Sequence, residues 1–290
     1  MGHLLERLPS GSRIAVIRLR SLGDCVLTTP ALALLKSYRP DLKLSVVVEP
    51  RFAAVFEGNP DVDEIRFDAP RADLALNLHG GTRSMWLALR SRRRAGFAHH
   101  RYSFIYSHKI PRAQEILGVE RTVHTTEHLA SAMFWLGVPR TEILRAKLFA
   151  GPPPALPPYM VIHPFASHPE KTWPAERFVK AARDLNLHPV FLAGPSDDAS
   201  AFRSFEVWEN IPLARVKALI SGAALFLGND SGPAHIAAAF GVPSIVIFGA
   251  SDPAIWGPWR TESQILASPE IKNISIADVV AAAEALKVRA

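Results

Sequence analysis

Strand-length runs of aliphatic and β-branched residues alternate with helical spacing almost from the start of the chain. Arg13 to Leu19 ("RIAVIRL") reads as a buried strand, Leu44 to Val48 ("LSVVV") as a second and Ala72 to Leu78 ("ADLALNL") as a third. Between the first two, Leu27, Ala31, Leu34, Leu35 and Tyr38 recur at helical spacing. Strand, helix, strand at these lengths predicts an α/β fold on a parallel sheet. The pattern stops at "GPPPALPP", where five prolines within Gly151 to Pro158 can continue neither a helix nor a central strand. It then restarts with "YMVIHP" as a strand, "WPAERFVKAARDL" as a helix and "HPVFLAG" as a strand. "ARVKALISGA" follows as a helix, "LFLG" as a strand and "PSIVIFG" as another. The chain therefore divides into two α/β halves, 1–150 and 151–290. From Ser275, "SIADVVAAAEAL" carries a Ser cap with Asp278 three residues on and an apolar face of Ile276, Val279, Val280, Ala283 and Leu286. It is a closing amphipathic helix able to pack back on the first half.

Composition changes this picture in four ways. An apolar fraction of 48% in 290 residues is ample for two packed cores. No apolar run reaches a membrane span, and the opening "MGHLLERLPSGS" is too charged for a signal peptide, so a cytoplasmic location is expected. The single cysteine, Cys25, excludes an internal disulfide and a cysteine-based zinc site; it reads as a small buried side chain, with a reactive thiol as the other reading. A formal charge of +6 predicts affinity for polyanions. Five arginines cluster in Leu89 to Phe104 ("LRSRRRAGFAHHRYSF") with two histidines and three aromatics, as a solvated loop or an anion-facing patch. No nucleic-acid recognition motif accompanies them, so a nucleic-acid partner is not expected.

Ligands of parallel sheets bind at the carboxyl ends of the strands, and three loops there are chemically unusual. The first, "RLRSLGDCVLTTPA", places Gly23 where a backbone can turn tightly and Asp24 where a helix should begin, as an N-cap worth about 1 kcal/mol or as a carboxylate able to take a proton. Pro30 either starts a helix capped by Thr29 or kinks one begun at Asp24. The second, "HPFASHPEKTWPAERF", sets Ser167, His168 and Lys171 before a helix entry at Trp173–Pro174. A lysine opposes a helix start, and a bound diphosphate would reconcile the two. The third, "GNDSGPAH", has more polar residues than a turn requires. Asp230 or Ser231 can cap the helix that follows, Gly232 keeps its first amides open, and His235 lies one turn after Ser231. "FGASDPAIWGPWR" shapes the wall beside them. No metal-ligand spacing, Walker lysine loop or nucleophile elbow is present, so neither a metal nor another cofactor is expected.

Together "VIRLRSLGDCVLTTPAL", "VVVEPRFAAVFEGNPDVDEI", the K-x-W-P at Lys171 to Pro174 and "GNDSGPAHIAAAFGVPSIVIFGASDPAIWGP" resemble the family 9 glycosyltransferases, the heptosyltransferases. The resemblance implies a GT-B fold and an inverting, metal-independent transfer of heptose from ADP-heptose to a phosphorylated glycolipid, the lipopolysaccharide core. It implies Asp24 as general base and Lys171 as stabiliser of the departing diphosphate. Ser167, Lys171, Asp230, Ser231, Gly232 and His235 would hold the donor, and Ser21, Gly23, Arg92, Arg93 and Arg94 would lie on the acceptor side. The basic patch would meet the anionic inner face of the inner membrane. Two rival readings are a nucleotide-sugar epimerase of the same architecture, which needs the donor residues but not Asp24, and a non-catalytic nucleotide or polyanion binder.

Overall fold

The computed structural model describes residues 4–68 and 71–286. The chain divides into two compact units between Phe149 and Ala150. In the first, strands β1 (Arg13–Ile17), β2 (Lys43–Val47), β3 (Glu64–Arg66), β4 (Leu74–Asn77), β5 (Arg93–Phe97) and β6 (His108–Ile110) form a parallel sheet. Helices α1 (Leu22–Tyr38), α2 (Thr82–Ala88), α3 (Ala113–Leu117) and α4 (Thr125–Leu136) accompany it.

The second unit holds strands β7 (Tyr159–His163), β8 (His188–Ala193), β9 (Glu206–Glu209), β10 (Leu225–Asn229), β11 (Ser244–Phe248) and β12 (Ser263–Ala267), again all parallel. Its helices are α5 (Ala175–Asp184), α6 (Leu213–Ser221), α7 (Gly232–Ala239), α8 (Pro253–Trp256) and α9 (Ile276–Ala285).

The sheet orders are β3-β2-β1-β4-β5-β6 and β12-β11-β10-β7-β8-β9. Each is a doubly wound sheet whose strand order reverses once, between β1 and β4 in one unit and between β7 and β10 in the other. The loops leaving those four strands are where such a sheet opens a crevice.

Helix α1 resolves the competing readings of its start. Ser21, not Asp24, is the N-cap; Asp24 is the third helical residue, and its carboxylate accepts from the Ser21 amide and hydroxyl at 3.3 and 3.1 Å. Gly23 is helical and buried, so the turn freedom expected of it is not used. Pro30 lies inside the helix, where it cannot donate to the Val26 carbonyl. The Thr29 hydroxyl donates to that carbonyl instead, at 2.9 Å.

Helix α9 has the expected cap, with the Ser275 amide and hydroxyl both donating to Asp278 at 2.8 Å. Its apolar face is used within its own unit: Val279, Ala282, Ala283 and Leu286 share a core with Trp173, Phe178 and Phe191. Trp173 is fully buried there and donates its indole N–H to the Ile274 carbonyl at 2.9 Å, which fixes the loop bearing Lys171.

Candidate active site

In the first unit the reversal point is built around Arg18, the residue just past β1. Its guanidinium donates to the Leu78 carbonyl, just past β4, and pairs with the Asp24 carboxylate, both side chains being largely buried. Asp24 is thus held from three sides, by Arg18, by Ser21 and by its own helix, with 19% of its side chain still open to solvent. Cys25 beside it is buried, and desolvation pushes its thiol up to about 12, so it stays protonated and is no nucleophile.

Histidines gather at the same sheet edge. His79 follows β4, in a turn where the Asn77 side chain accepts from the His79 and Gly80 amides at 3.1 Å. Gly80 has φ +78°, and a Cβ there would lie 2.7 Å from the His100 ring. Phe97, the last residue of β5, stacks on His128 at 4.0 Å and touches His99 and His100.

Desolvation holds His100, His128 and, in the second unit, His163 down at about 4, from an ordinary 6.5. The unfolded chain takes up these protons below pH 6.5, whereas the native state refuses them until about pH 4. Stability is therefore expected to fall as pH drops through that window, with a slope of up to about 4 kcal/mol per pH unit if all three contribute. Urea unfolding between pH 7 and pH 4 measures it, and a flat profile would contradict the burial of neutral imidazoles.

In the second unit three loops converge. Asn229, ending β10, is fully buried; it accepts from the Trp173 amide at 3.1 Å and donates to the Pro164 carbonyl at 2.8 Å, locking the loop after β7 onto the loop after β10. Asp230 then accepts from the Lys171 ammonium at 3.4 Å and from the Ser251 hydroxyl at 2.6 Å. Gly249 permits this convergence, because a Cβ there would stand 2.1 Å from the Glu170 carbonyl oxygen. Ser231 is the N-cap of α7 but makes no side-chain cap; its hydroxyl is bonded to His163 Nδ1 at 3.0 Å, across the reversal point. The helix start is thereby left to Gly232 and Pro233, with an amide at the first of them. Beside these loops lies an open hollow of about 460 Å³ lined by Ser167, His168, Thr172 and Trp173 among others.

The structure brings Lys171, Asp230, Ser231 and Gly232 together, with Ser167 exposed on the adjoining hollow. His235, one turn after Ser231, is 5% exposed, on an almost wholly buried helix. Ser21 sits with Asp24. Arg92, Arg93 and Arg94 do not. The arginine run, expected as a solvated loop or an anion-facing patch, leads into β5, whose first residue Arg93 aligns with Leu74 and so lies at the amino edge of the sheet, a strand length from Asp24. Arg94 is further committed to the Ile105 and Ser91 carbonyls, at 2.7 and 2.9 Å. Sequence reading passed over Arg18, His79 and Ser251, although each stands just beyond a buried strand, where a polar residue has no core to join. Among the described residues, no group of three or more His, Cys, Asp or Glu side chains could hold a metal ion.

This chain is similar to known proteins along most of its length. It is 28% identical over 293 residues to lipopolysaccharide heptosyltransferase 3 of Escherichia coli K12, covering 83% of each chain. To lipopolysaccharide heptosyltransferase 1 of the same strain it is 22% identical, over 91% of this chain and 96% of that one. Among solved structures, a family 9 glycosyl transferase from Veillonella parvula superposes with a TM-score of 0.83 at 23% identity, covering 94% of this chain and 96% of that one. The E. coli heptosyltransferase WaaC with ADP superposes with a TM-score of 0.79 at 19% identity, covering 94% and 99%. The iron-containing dodecameric glycosyltransferase TibC of enterotoxigenic E. coli shares the fold at a TM-score of 0.65. A family model described as glycosyltransferase family 9 (heptosyltransferase) matches residues 66–280. With two doubly wound halves of GT-B type and that match over most of its length, the chain belongs to glycosyltransferase family 9, the heptosyltransferases, and is a glycosyltransferase.

Proposed function

We propose that this enzyme transfers heptose from ADP-heptose to a phosphorylated glycolipid acceptor of the lipopolysaccharide core, with inversion at the transferred carbon. The first unit would bind the acceptor and the second the donor. The observation that carries the reading is the convergence of Lys171, Asp230, Ser231 and the α7 start at one reversal point, with a second reversal point built around Asp24. The names of the relatives and the ADP of the WaaC structure support the donor and the acceptor class.

The chemistry follows from the charges. An acceptor hydroxyl oxygen attacks the anomeric carbon while the bond to the diphosphate breaks, and Asp24 receives the hydroxyl proton. A single displacement inverts the anomeric centre. Negative charge grows on the departing ADP, where the Lys171 ammonium and the amide at Gly232 would meet it. Asp230 carries the wrong sign for contact with a diphosphate, so its part is to hold Lys171, with Ser251 as its second partner. Arg18 likewise acts through Asp24 as a positioning residue. The reaction would run in the cytoplasm at the inner face of the membrane that holds the acceptor; among the described residues no helix is long and apolar enough to cross a membrane.

A thermal-shift panel tests the donor assignment, because a ligand that binds only the folded state raises the melting temperature in proportion to the logarithm of its concentration over Kd. ADP is expected to stabilise the protein more than UDP, GDP or NAD at equal concentration. A larger shift with UDP or GDP would overturn the assignment of the base, and no shift with any nucleotide would overturn the donor site.

A further inference from the structure

Between Asp73 and Glu115 the chain has no acidic residue and eight cations, Arg83, Arg90, Arg92, Arg93, Arg94, Arg101, Lys109 and Arg112. The same stretch carries three large apolar side chains on the surface: Trp86 is 65% exposed, Leu89 40% and Phe104 73%. An exposed tryptophan and phenylalanine so close in sequence have no folding reason, since burying either would contribute about 2 kcal/mol or more.

The segments bearing the three apolar side chains share one face. Helix α2 and the short 3-10 turn Ser103–Ile105 lie on the same face of the first sheet, where Leu87 and Ile105 pack against the shared cluster of Ala15, Ile17, Leu19 and Ala75. They are tied together at one end by a 2.8 Å hydrogen bond between the Thr82 and Tyr102 hydroxyls, and further along by Arg94, which bonds carbonyls on either side. Thr82, Trp86 and Leu89 fall on one side of α2 at helical spacing, and Tyr102 meets Phe104 edge to face at 6.3 Å. Arg90, Arg92 and Arg101 are exposed on the same segments, whereas Arg93, next to Arg94 along β5, points to the other face of the sheet. The Thr82 end adjoins the His79–Gly81 loop and, through Leu78, the Arg18–Asp24 pair.

We propose that the face formed by Trp86, Leu89 and Phe104 with Arg90, Arg92 and Arg101 docks on an anionic lipid bilayer, the apolar side chains entering the interface and the guanidiniums meeting lipid phosphates. Charge decides between occupants. A second copy seated on this face would oppose arginine to arginine, which costs affinity. Nucleic acid would match the charge but gains nothing from Leu89, which has no π-face to stack on. A bilayer interface takes both components, with indole and phenyl rings at the headgroup level and several arginines each attracting anionic lipid. For its purpose the inference rests on a lipid-linked acceptor, which such docking would bring to the sheet edge that carries Asp24; the binding itself is independent of donor, acceptor and chemistry.

Co-sedimentation of the full chain with vesicles of phosphatidylethanolamine and phosphatidylglycerol, without nucleotide sugar, tests the surface. Wild-type protein is expected to pellet with these vesicles, to pellet much less with pure phosphatidylcholine, and to be released by high salt. The Trp86→Ser/Phe104→Ser double variant should partition about tenfold less or weaker still. Arg92→Ala and Arg101→Ala should each cost about fivefold. The aromatic double variant should keep the wild-type melting temperature and ADP-induced shift, and its turnover of a water-soluble, delipidated acceptor. Wild-type protein left in the supernatant, equal pelleting of the aromatic variant, loss of the surface effect in favour of RNA binding, or sedimentation as a dimer through this face would each overturn the proposal. Failure of the transfer assay with intact vesicle binding would instead overturn the proposed reaction and leave the docking surface standing.

Discussion

Replacing Asp24 by Asn is expected to lower heptose transfer by about a thousandfold, within the range of about 10² to 10⁴ that a positioned proton acceptor supplies. The amide keeps the size of the carboxylate but only one of its two acceptor oxygens, so it can still accept from the Ser21 amide that starts α1 while the contact to Arg18 is lost. What it loses is the ability to receive the proton of the acceptor hydroxyl. The competing explanation for Asp24 is structural, since it closes a cap box and pairs with a buried guanidinium. The two are separable by readout. A structural role would appear as a lower melting temperature and a weakened ADP shift, with residual activity following the folded fraction. A catalytic role leaves folding and ADP binding close to wild type and removes kcat. Asn activity within a few-fold of wild type would end the assignment.

Replacing Lys171 by Ala is the second large effect, an expected loss of about 10² to 10³ in kcat, comparable to removing one preorganised donor from a developing anion. ADP should also bind more weakly, because the same ammonium meets the diphosphate before and after the bond breaks. Asp230 sharpens the test. It touches Lys171 and Ser251, and the proposed reading has it acting through the lysine. In a double-mutant cycle, Asp230→Asn should therefore cost activity in the wild-type background and little once Lys171 is Ala. Additive losses would mean that Asp230 has a separate role.

Much of this site is legible in the sequence because it sits at strand ends. Buried parallel strands such as Leu225–Asn229 and Ser244–Phe248 are short apolar runs, and whatever polar residues follow them stand out. That is how Asp24, Lys171 and Asp230–Gly232 could be singled out. Strands without an apolar run were invisible. The β5 strand begins with two arginines at the open amino edge of the sheet, where pairing needs only backbone, so its composition reads as a loop.

The start of α1 was misread for a different reason. Ser21 and Asp24 are three residues apart and both are good capping residues, and only the geometry of the first turn shows which one precedes the helix. For His235, spacing gives the position on the helix but not that α7 is almost wholly buried. Partners distant in sequence, such as Arg18 with Leu78 or Trp173 with Asn229, follow from the strand order, which no local pattern encodes.

The central claim is the transfer itself, and mass spectrometry of the acceptor measures it most directly. The purified enzyme would be incubated with ADP-heptose and a lipopolysaccharide core lacking the terminal heptose, with anomeric configuration read by NMR on the product. The account predicts that the acceptor gains one heptose, that ADP is released in equal amount, and that the new linkage has the anomeric configuration opposite to that of the donor. An unmodified acceptor with ADP-heptose merely epimerised or hydrolysed, or a product that retains the donor configuration, would contradict it.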